Sequence, residues 1–598
     1  MSNTSNLQLD GRYLYYTFLA GGNRVLQHQA EINLINVFPV KDQDTGTNLA
    51  STIRAVIDNI SPNKSYITTV NNIADAALIG ARGNSGIIFA QFLYGLSKET
   101  KNKAAVGFHE FAESIKGSIP YIYEAISNPV EGTMLSVIKD WSDYINDQKN
   151  NLKDFRNVII DSFITLEKSL EETTSKLEVL RKNNVVDAGA KGFVLFIEGV
   201  IDFLNDNNIR DFISVKNDDI SIVHSEDIIN EEIIHRYCTE AIIKKLVSDK
   251  STIKTLLNND GDSVVVAGSN ETCRIHVHTN NPSELFHVLK DHGTITYQKV
   301  DDMTHQQEIT TNRKWKIAIV TDSSCDLSQE LLDQYQINVV PININFGDNH
   351  FLDKVTIKPE RFYDLLESSS VFPTTSQINE SSFSNIYSHL ASHYDAIIGL
   401  HLTDKFSGTY NSSKKAANRI SKEFNKPIVV FDSKTLSGAL GLLVLKVARA
   451  IESGMSYESI LENLEEWQSN SKIFVSVKTL KYMVKGGRVS PQKGFIANLL
   501  GVNPIVSMDE NGNSLLMGKA FSQLANINKV IKHISKISQD KSITDYIVLH
   551  AHNSEAANIY VKKMQKITGR KPVSVVNISP VIGMNAGIGT AAVALLIE

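Results

Sequence analysis

From the start of the chain to about Leu204, apolar residues recur at three- and four-residue spacing, as in RVLQHQAEINLINVF (24–38) and NVIIDSFITLEKSLEETTSKLEVLRK (157–182). That period marks amphipathic helices, and it predicts an all-helical domain over residues 1–204. Four short polar segments containing glycine interrupt the pattern: KDQDTGTN (41–48), GARGNSG (80–86), PVEGTM (129–134) and VVDAGAKG (185–192). Loops of one bundle can gather at one of its ends, so these four are the first candidates for chemistry.

A polar stretch, NDNNIRDFISVKNDDIS (205–221), then gives way to mixed helix and strand: AIIKKLVSD, SVVVAGS, CRIHVHT, and a short helix after Asn281-Pro282. This predicts a small α+β domain over 220–310. From Trp315 strands are followed by helices: KIAIVTDSS then LSQELLDQY, YDAIIGLHL then NSSKKAANRI, PIVVFDSK then GALGLLVLKVARAIESG. Such alternation implies a parallel sheet with helical crossovers. The strand IFVSV (473–477) opens a further part, so the α/β region 315–598 divides into subdomains of about 315–472 and 473–598.

The 598 residues are 42% hydrophobic and 21% charged, with 60 Lys+Arg against 66 Asp+Glu and a formal net charge of -6. At roughly 100–200 residues per domain the length accords with three or four domains. This composition excludes a disordered chain, and the balanced charge leaves no basic footprint for nucleic acid. Cys238, Cys273 and Cys325 are too few for a disulfide framework and fit a reducing compartment. The start, MSNTSNLQLDGRYLYYTFLAGG, lacks the basic end and apolar core of a signal peptide. The longest apolar run, AGIGTAAVALLI (586–597), falls short of the roughly 20 residues that span a bilayer. The expectation is a cytoplasmic protein with peripheral membrane contact at most.

In the segment from Asp42 to Asn48 two carboxylates, Asp42 and Asp44, lie two apart, followed by Thr45, Gly46, Thr47 and Asn48 just before a helix. Carboxylates so close repel unless a cation bridges them, and Mg²⁺ favours one or two carboxylates together with substrate phosphates. A helix start adds backbone N–H donors for an anion. Alone, the segment reads equally as an acidic N-capping turn. A second helix start, Ala81-Arg82-Gly83-Asn84-Ser85-Gly86, has the small residues that let amides approach a phosphate. Taken together in order, LDGRYLYYTFLAGG, NVFPVKDQDTGTN, ARGNSG, PVEGTML and VVDAGAKG resemble the DhaL-type nucleotide-binding domain of dihydroxyacetone kinases, and more closely the N-terminal domain of bacterial fatty acid kinase. The resemblance implies an eight-helix barrel that binds ATP through Mg²⁺ held by Asp42 and Asp44, with Asn36 at the upstream polar position. It implies Thr45, Gly46, Asn48 and Asn84 around the nucleotide, Ser85 and Gly86 at its β- and γ-phosphates, Thr133 and Met134 at its border, and Asp187, Ala188 and Gly189 closing over it. The family's PDGDTG reads KDQDTG here, with Lys41 for the proline and Gln43 for the second-position glycine.

His276-Val277-His278 lies in a strand-like run, which projects both imidazoles from one face. Imidazole and thiolate are ordinary Zn²⁺ ligands, and Cys238, in HRYCTE, completes three of four positions. On spacing alone these are paired surface histidines. The segments YCTE and HVHT also resemble the middle domain of fatty acid kinase, which favours a structural or regulatory zinc. Strand alternation places Cys273 on the opposite face from His276.

Hydroxyl-rich loops punctuate the C-terminal half: Thr321-Asp322-Ser323-Ser324, Pro373 to Gln377, Phe406 to Tyr410, and Asp432-Ser433-Lys434. Each serves equally as a turn or helix cap, although loops at the carboxyl ends of parallel strands are where open α/β sheets bind ligands. In sequence, VTDSSCDLSQELL, PTTSQ, SGTYNS, DSK, LKYMVKGGRVS and ISPVIG resemble the DegV family over about 316–598. The resemblance implies two α/β domains around one long-chain fatty acid, its carboxylate held by Thr375 and Ser407 with Ser376, Gly408 and Thr409 beside them. Arg488 in KGGRVS becomes a phosphate-facing cation or a contact for the kinase domain. Where the family often carries histidine in a VIGAHTGPG-like segment, this chain has Asn585, which donates a hydrogen bond but carries no charge.

These parts together imply a fused fatty acid kinase. A carboxylate ionised at neutral pH attacks the γ-phosphate of ATP without a general base, and the protein aligns the groups and neutralises charge through Mg²⁺. Tethering through residues 301–314 raises the effective concentration of the two halves towards the millimolar range. An acyltransferase accepting the acyl phosphate is the implied partner, and a homodimer is expected. Two other readings stay open: a lipid carrier with a degenerate nucleotide domain, and a dihydroxyacetone-type kinase, which leaves the C-terminal half unexplained.

Overall fold

Asp10 begins the helical bundle by accepting the Tyr13 N–H at 2.8 Å, which caps the first helix, α1 (Gly11–Gln27). The computed structural model describes residues 8–38, 44–150, 155–206, 233–487 and 502–598. They divide into two units, Met1–Gln307 and Glu308–Glu598. Asp42, with Lys41 and Gln43, and Arg488 lie outside the described residues.

After α1 come the one-turn α2 (Gln29–Leu34), then α3 (Thr45–Asn59), α4 (Tyr66–Gly80), α5 (Gly83–Glu99), α6 (Phe108–Ala125), α7 (Met134–Asp147), α8 (Phe155–Lys176), the short α9 (Glu178–Asn183) and α10 (Ala188–Asp206). Eight of these helices are 14 residues or longer. A ring forms as α1 packs on α4, α4 on α5, and so on through α6, α7 and α8 to α10, which returns to α1. The join between α1 and α10 is close because it is lined by glycine: a Cβ on Gly21 would stand 2.7 Å from Phe196 O, and one on Gly199 would stand 2.6 Å from Ala20 O. Aromatic rings fill the interior, with Phe92, Trp141 and Phe193 in edge-to-face contact.

Two of the long helical runs expected from periodicity are broken. Leu177 leaves the helical range (φ -116, ψ 126), and the chain turns there so that Leu180 is buried. The earlier run breaks at His28, whose Nδ1 meets Arg24 O at 2.8 Å.

The second part of this unit is an antiparallel sheet in the order β4-β5-β3-β6. Its strands are β3 (Tyr237–Lys244), β4 (Gly261–Gly268), β5 (Thr272–Thr279) and β6 (Thr294–Asp302), with α11 (Lys250–Asp260) and α12 (Pro282–Leu289); β1 (Leu9–Asp10) and β2 (Ala105–Val106) pair within the bundle. The first half of AIIKKLVSD is therefore strand. Val265 and Ala267 of β4 belong to the same apolar cluster as the bundle core, and the Ser127 N–H donates to Val264 O at 2.9 Å.

The unit Glu308–Glu598 contains a parallel sheet, β13-β12-β7-β8, a three-stranded antiparallel sheet, β10-β9-β11, and a six-stranded mixed sheet, β16-β15-β14-β19-β17-β18. Their strands are β7 (Ile317–Asp322), β8 (Asn338–Val340), β9 (Asn343–Phe346), β10 (Asn349–Leu352), β11 (Thr374–Ser376), β12 (Ala396–His401), β13 (Ile428–Asp432), β14 (Ser471–Ser476), β15 (Asn503–Met508), β16 (Ser514–Ala520), β17 (Ile543–His550), β18 (Ser574–Asn577) and β19 (Ala591–Ile597). The longest apolar run of the chain is β19, buried throughout between β14 and β17. Helices α13 (Ser437–Glu452) and α14 (Tyr457–Asn470) pack on β14 and β19, so in packing terms the second layer gathers helices that precede residue 473. No helix among the described residues is long and apolar enough to cross a membrane.

Candidate functional site

The four loops singled out by sequence meet through the starts of α3, α5, α7 and α10. Asp44 stands at the N-cap position of α3, where the Asn48 N–H donates to its backbone oxygen at 2.8 Å, yet its carboxylate makes no capping bond. Beside it the hydroxyl of Thr45 donates to Oδ1 of buried Asn36. A Cβ on Gly83, which has φ +58, would lie 2.2 Å from Asn48 Nδ2, so α3 and α5 touch at their first turns. A Cβ on Gly86 would lie 2.5 Å from Thr52 Oγ1, one on Gly46 2.2 Å from Gln29 O, and one on Gly189 2.8 Å from Ser85 Oγ. Small residues here let four helix starts crowd together, and each start carries about half a positive charge.

Asp187 ties two of these starts. Its Oδ1 accepts the Ala190 N–H at 2.7 Å, capping α10, and the Met134 N–H at 3.0 Å, at the start of α7. Burial pushes its carboxyl up to about 6, against the pull of those two amides. Thr133 holds its own loop by donating to Val130 O at 2.8 Å. Asn84 Oδ1 is buried with no partner, which leaves a hard oxygen acceptor inside the cluster. The oxygen donors of Asp44, Asn36 and Thr45 suit Mg²⁺ by chemistry.

Strand register builds the second cluster. Cys238 on β3 stands opposite His278 on β5, and Glu240 opposite His276. Cys238 Sγ lies 3.8 Å from His276 Nδ1, and the ligand atoms of Cys238, His276 and His278 all lie within 4.8 Å of one another. His276 Nε2 is buried and unpartnered, and burial lowers its imidazole pKa, which keeps the ring neutral as a metal ligand must be. Burial and the charges of Glu240 and Asp301 hold the Cys238 thiol well above its usual range, a cost that a cation replacing the proton removes. Asp262 Oδ1 lies 3.3 Å from His278 Nδ1, the second-ring contact that orients a ligating histidine. These groups fit Zn²⁺. Cys273 is absent from the cluster and buried. Asp44 lies within electrostatic reach of Cys238, so the two clusters adjoin.

Sequence reasoning missed Glu240 and Arg274. Both share the face of Cys238, His276 and His278 by simple strand alternation, and Arg274 Nη2 donates to Glu240 Oε2 at 2.6 Å. Burial works against the Glu240 charge, yet Arg274 and His276 hold its carboxyl well below the ordinary range.

In the other unit a cavity of about 260 Å³ lies between the parallel and mixed sheets. Thr375, Ser376, Gln377, Ser407, Gly408 and Asn585 line it with polar atoms, while Leu402, Leu436, Val475, Val477, Met483 and Val506 are among its apolar walls. Thr409 is fully buried outside this lining, with its hydroxyl 2.9 Å from Ser407 Oγ, so it supports the loop from behind. Asn585 Nδ2 already donates to Val581 O at 3.2 Å, and its buried Oδ1 lacks a partner. The helix α15 (Pro580–Ala586) that carries Asn585 is anchored from the parallel-sheet side: Asp326 Oδ1 accepts the Ser579 N–H at 3.1 Å and meets Lys354 Nζ at 2.8 Å, and Asp353 Oδ1 accepts the Val581 N–H at 3.2 Å. The Thr321 to Ser324 loop is buried; Asp322 joins His401 at 3.2 Å, and His401 Nε2 lies 2.8 Å from Ser413 Oγ, so this loop braces the sheet.

Residues 39–202 match the DAK2 domain, 234–310 the FakA-like middle domain of fatty acid kinase, and 316–598 the family described as uncharacterised protein, DegV family. An uncharacterized protein of Staphylococcus saprophyticus is 31% identical over 312 residues, 50% of this chain and 56% of the relative. An uncharacterized protein of Staphylococcus aureus is 30% identical over the same shares. The chain thus spans little more than half the length of these curated relatives. Among solved structures, the fatty-acid-binding DegV family protein from Thermus thermophilus is similar to 47% of this chain and 100% of its own, with 26% identity and a TM-score of 0.44. DegV from Bacillus subtilis, described as a fatty acid binding protein, shows 26% identity over 48% of this chain and 100% of its own, with a TM-score of 0.44. One chain therefore combines a DAK2 domain, a fatty acid kinase-like middle domain and a DegV region.

Proposed function

We propose that this chain is a fatty acid kinase fused to its lipid-binding partner, transferring the γ-phosphate of ATP to the carboxylate of a fatty acid held in residues 316–598. The observation that carries the reading is the meeting of four helix starts around Asn48, Gly83, Ser85 and Gly189, a backbone arrangement suited to polyphosphate. The matches to a DAK2 domain and to a fatty acid kinase middle domain support the same chemistry, and the cavity beside Thr375 and Ser407 supports an apolar substrate with one polar end.

In this reading Asp44, with Asp42, holds Mg²⁺, and Asn36 supplies a further oxygen. Thr45, Gly46, Asn48 and Asn84 surround the nucleotide, Ser85 and Gly86 meet the phosphates, and Thr133, Met134, Asp187 and Gly189 bound it. Mg²⁺ supplies charge neutralisation at the phosphates. Thr375 and Ser407, with Ser376, Gly408 and Asn585, orient the carboxylate. One carboxylate oxygen forms the new bond to the γ-phosphorus, the bond from that phosphorus to the β–γ bridging oxygen breaks, and ADP leaves with the electron pair. No proton moves, so no general base is required. Cys238, His276 and His278 hold Zn²⁺ in a structural or regulatory role.

Hydroxylamine trapping of acyl phosphate from oleate, ATP and Mg²⁺ tests the proposal, with Asp44→Ala protein as control. Product that vanishes in the variant is expected. Lipid in the purified protein with no ATP-dependent product would replace this reading with that of a lipid carrier, which the occupied donor of Asn585 favours.

A further inference from the structure

We infer that Glu240, a residue of the middle-domain sheet, is a positioning residue for the start of α5 that faces the phosphates; the inference rests on the nucleotide reading above. Only Ala81 and Arg82 separate the end of α4 from the start of α5. A helix end exposes carbonyls with partial negative charge, and a helix start exposes amides with partial positive charge. One ion pair from the neighbouring sheet answers both. Arg274 Nη1 donates to Ile79 O at 2.9 Å, at the end of α4, and its Nη2 donates to Glu240 Oε2 at 2.6 Å. Glu240 Oε1 in turn accepts the Gly83 N–H at 2.6 Å, at the start of α5. The cation thus lies at the negative end of one helix and the anion at the positive end of the next, with Arg274 2% and Glu240 0% exposed.

This contact decides which amides meet a phosphate. The Gly83 N–H is engaged by Glu240, and the Gly86 N–H by Arg82 O at 3.1 Å. The first-turn amides between them belong to Asn84 and Ser85. A bare carboxylate at a helix start would repel an incoming phosphate, but the bonded Arg274 offsets that charge, so the pair holds the loop while leaving it open to anions. From the other side Asn48 Nδ2 stands 2.2 Å from the place of a Gly83 Cβ, so α3 and the middle domain fix one point of the chain between them. Glu240 Oε1 also lies 3.8 Å from His276 Nδ1. The metal cluster and the phosphate loop therefore lean on one carboxylate.

Calorimetric titration of Mg·ADP into the full chain tests this with wild type, Glu240→Ala and Glu240→Gln. The Ala variant is expected to bind about tenfold more weakly and to exchange the Gly83 amide faster, while Gln, which keeps an acceptor for that amide, recovers affinity to within about threefold of wild type. Where Glu240→Ala fails to melt cooperatively, Glu240→Asp takes its place: it keeps the charge for Arg274 but draws the acceptor back by one methylene, and the same tenfold loss is expected. Wild-type protein that binds no Mg·ADP would sink the nucleotide reading and this inference with it. Wild-type binding together with Ala or Asp variants within about twofold of it, or Gln no better than Ala, would overturn the inference alone.

Discussion

Asp187→Asn is expected to make the protein more stable at pH 8. The carboxylate is 6% exposed, and its Oδ1 accepts from Ala190 and Met134 at 2.7 and 3.0 Å. Asparagine keeps that acceptor and loses the charge. Burial raises the folded-state pKa from 3.8 to about 6, so the folded protein holds the proton more tightly than the unfolded chain does. Stability from this group is full below about pH 4, is lost as pH climbs through about 6, and stays lost above it. A shift of about two units corresponds to roughly 3 kcal/mol. The stability difference between variant and wild type should thus be near zero at about pH 4 and approach about 3 kcal/mol at pH 8. Urea unfolding read by hydrogen exchange of peptides in α7 and α10 measures it. A variant no more stable than wild type at pH 8, or a difference that does not change between pH 4 and 7, would refute the reasoning. A charge retained at such a cost, where helix starts converge, is the pattern of a group kept for function rather than for folding.

Three further outcomes follow from the geometry. Gly83→Ala should cost about 1–2 kcal/mol, because φ +58 disfavours a side chain and the new Cβ meets Asn48, and it should weaken Mg·ADP binding; thermal melts and calorimetry check both. Cys238→Ser should lower zinc from about one ion per chain to near none in metal analysis of purified protein, while Cys273→Ser, on the opposite sheet face, leaves it unchanged. Lys354→Met should cost about 3–5 kcal/mol in urea unfolding, because it strands the Asp326 charge, which is 1% exposed, at the anchor of α15.

Much of the site was legible in sequence because it consists of helix starts and strand faces, which short-range periodicity defines. DxDTG, ARGNSG and DAG each announce a tight helix entry through small and hydroxyl residues, and the alternation in HVH places both imidazoles on one side without any knowledge of the fold. The same alternation, carried two residues on from Cys238, would have reached Glu240. Nothing local distinguished Thr409 from Ser407 in SGT; only packing buries the former and turns the latter into the cavity. The amide of Asn585 looked like a carboxylate donor until its helix directed it to Val581 O.

By itself, then, the sequence determined the order of helical, α+β and α/β regions, the residue chemistry of each loop, and the face on which each candidate ligand lies, since these depend on periods of two and 3.6 residues. Tertiary structure alone decided that Cys238 stands opposite His278, that Asp187 caps two helices fifty-three residues apart in its bond to Met134, and that an Arg–Glu pair from one domain holds the loop of another. Register and long-range contacts arise from which apolar faces bury one another, and that choice is made by the whole chain rather than by any window of it.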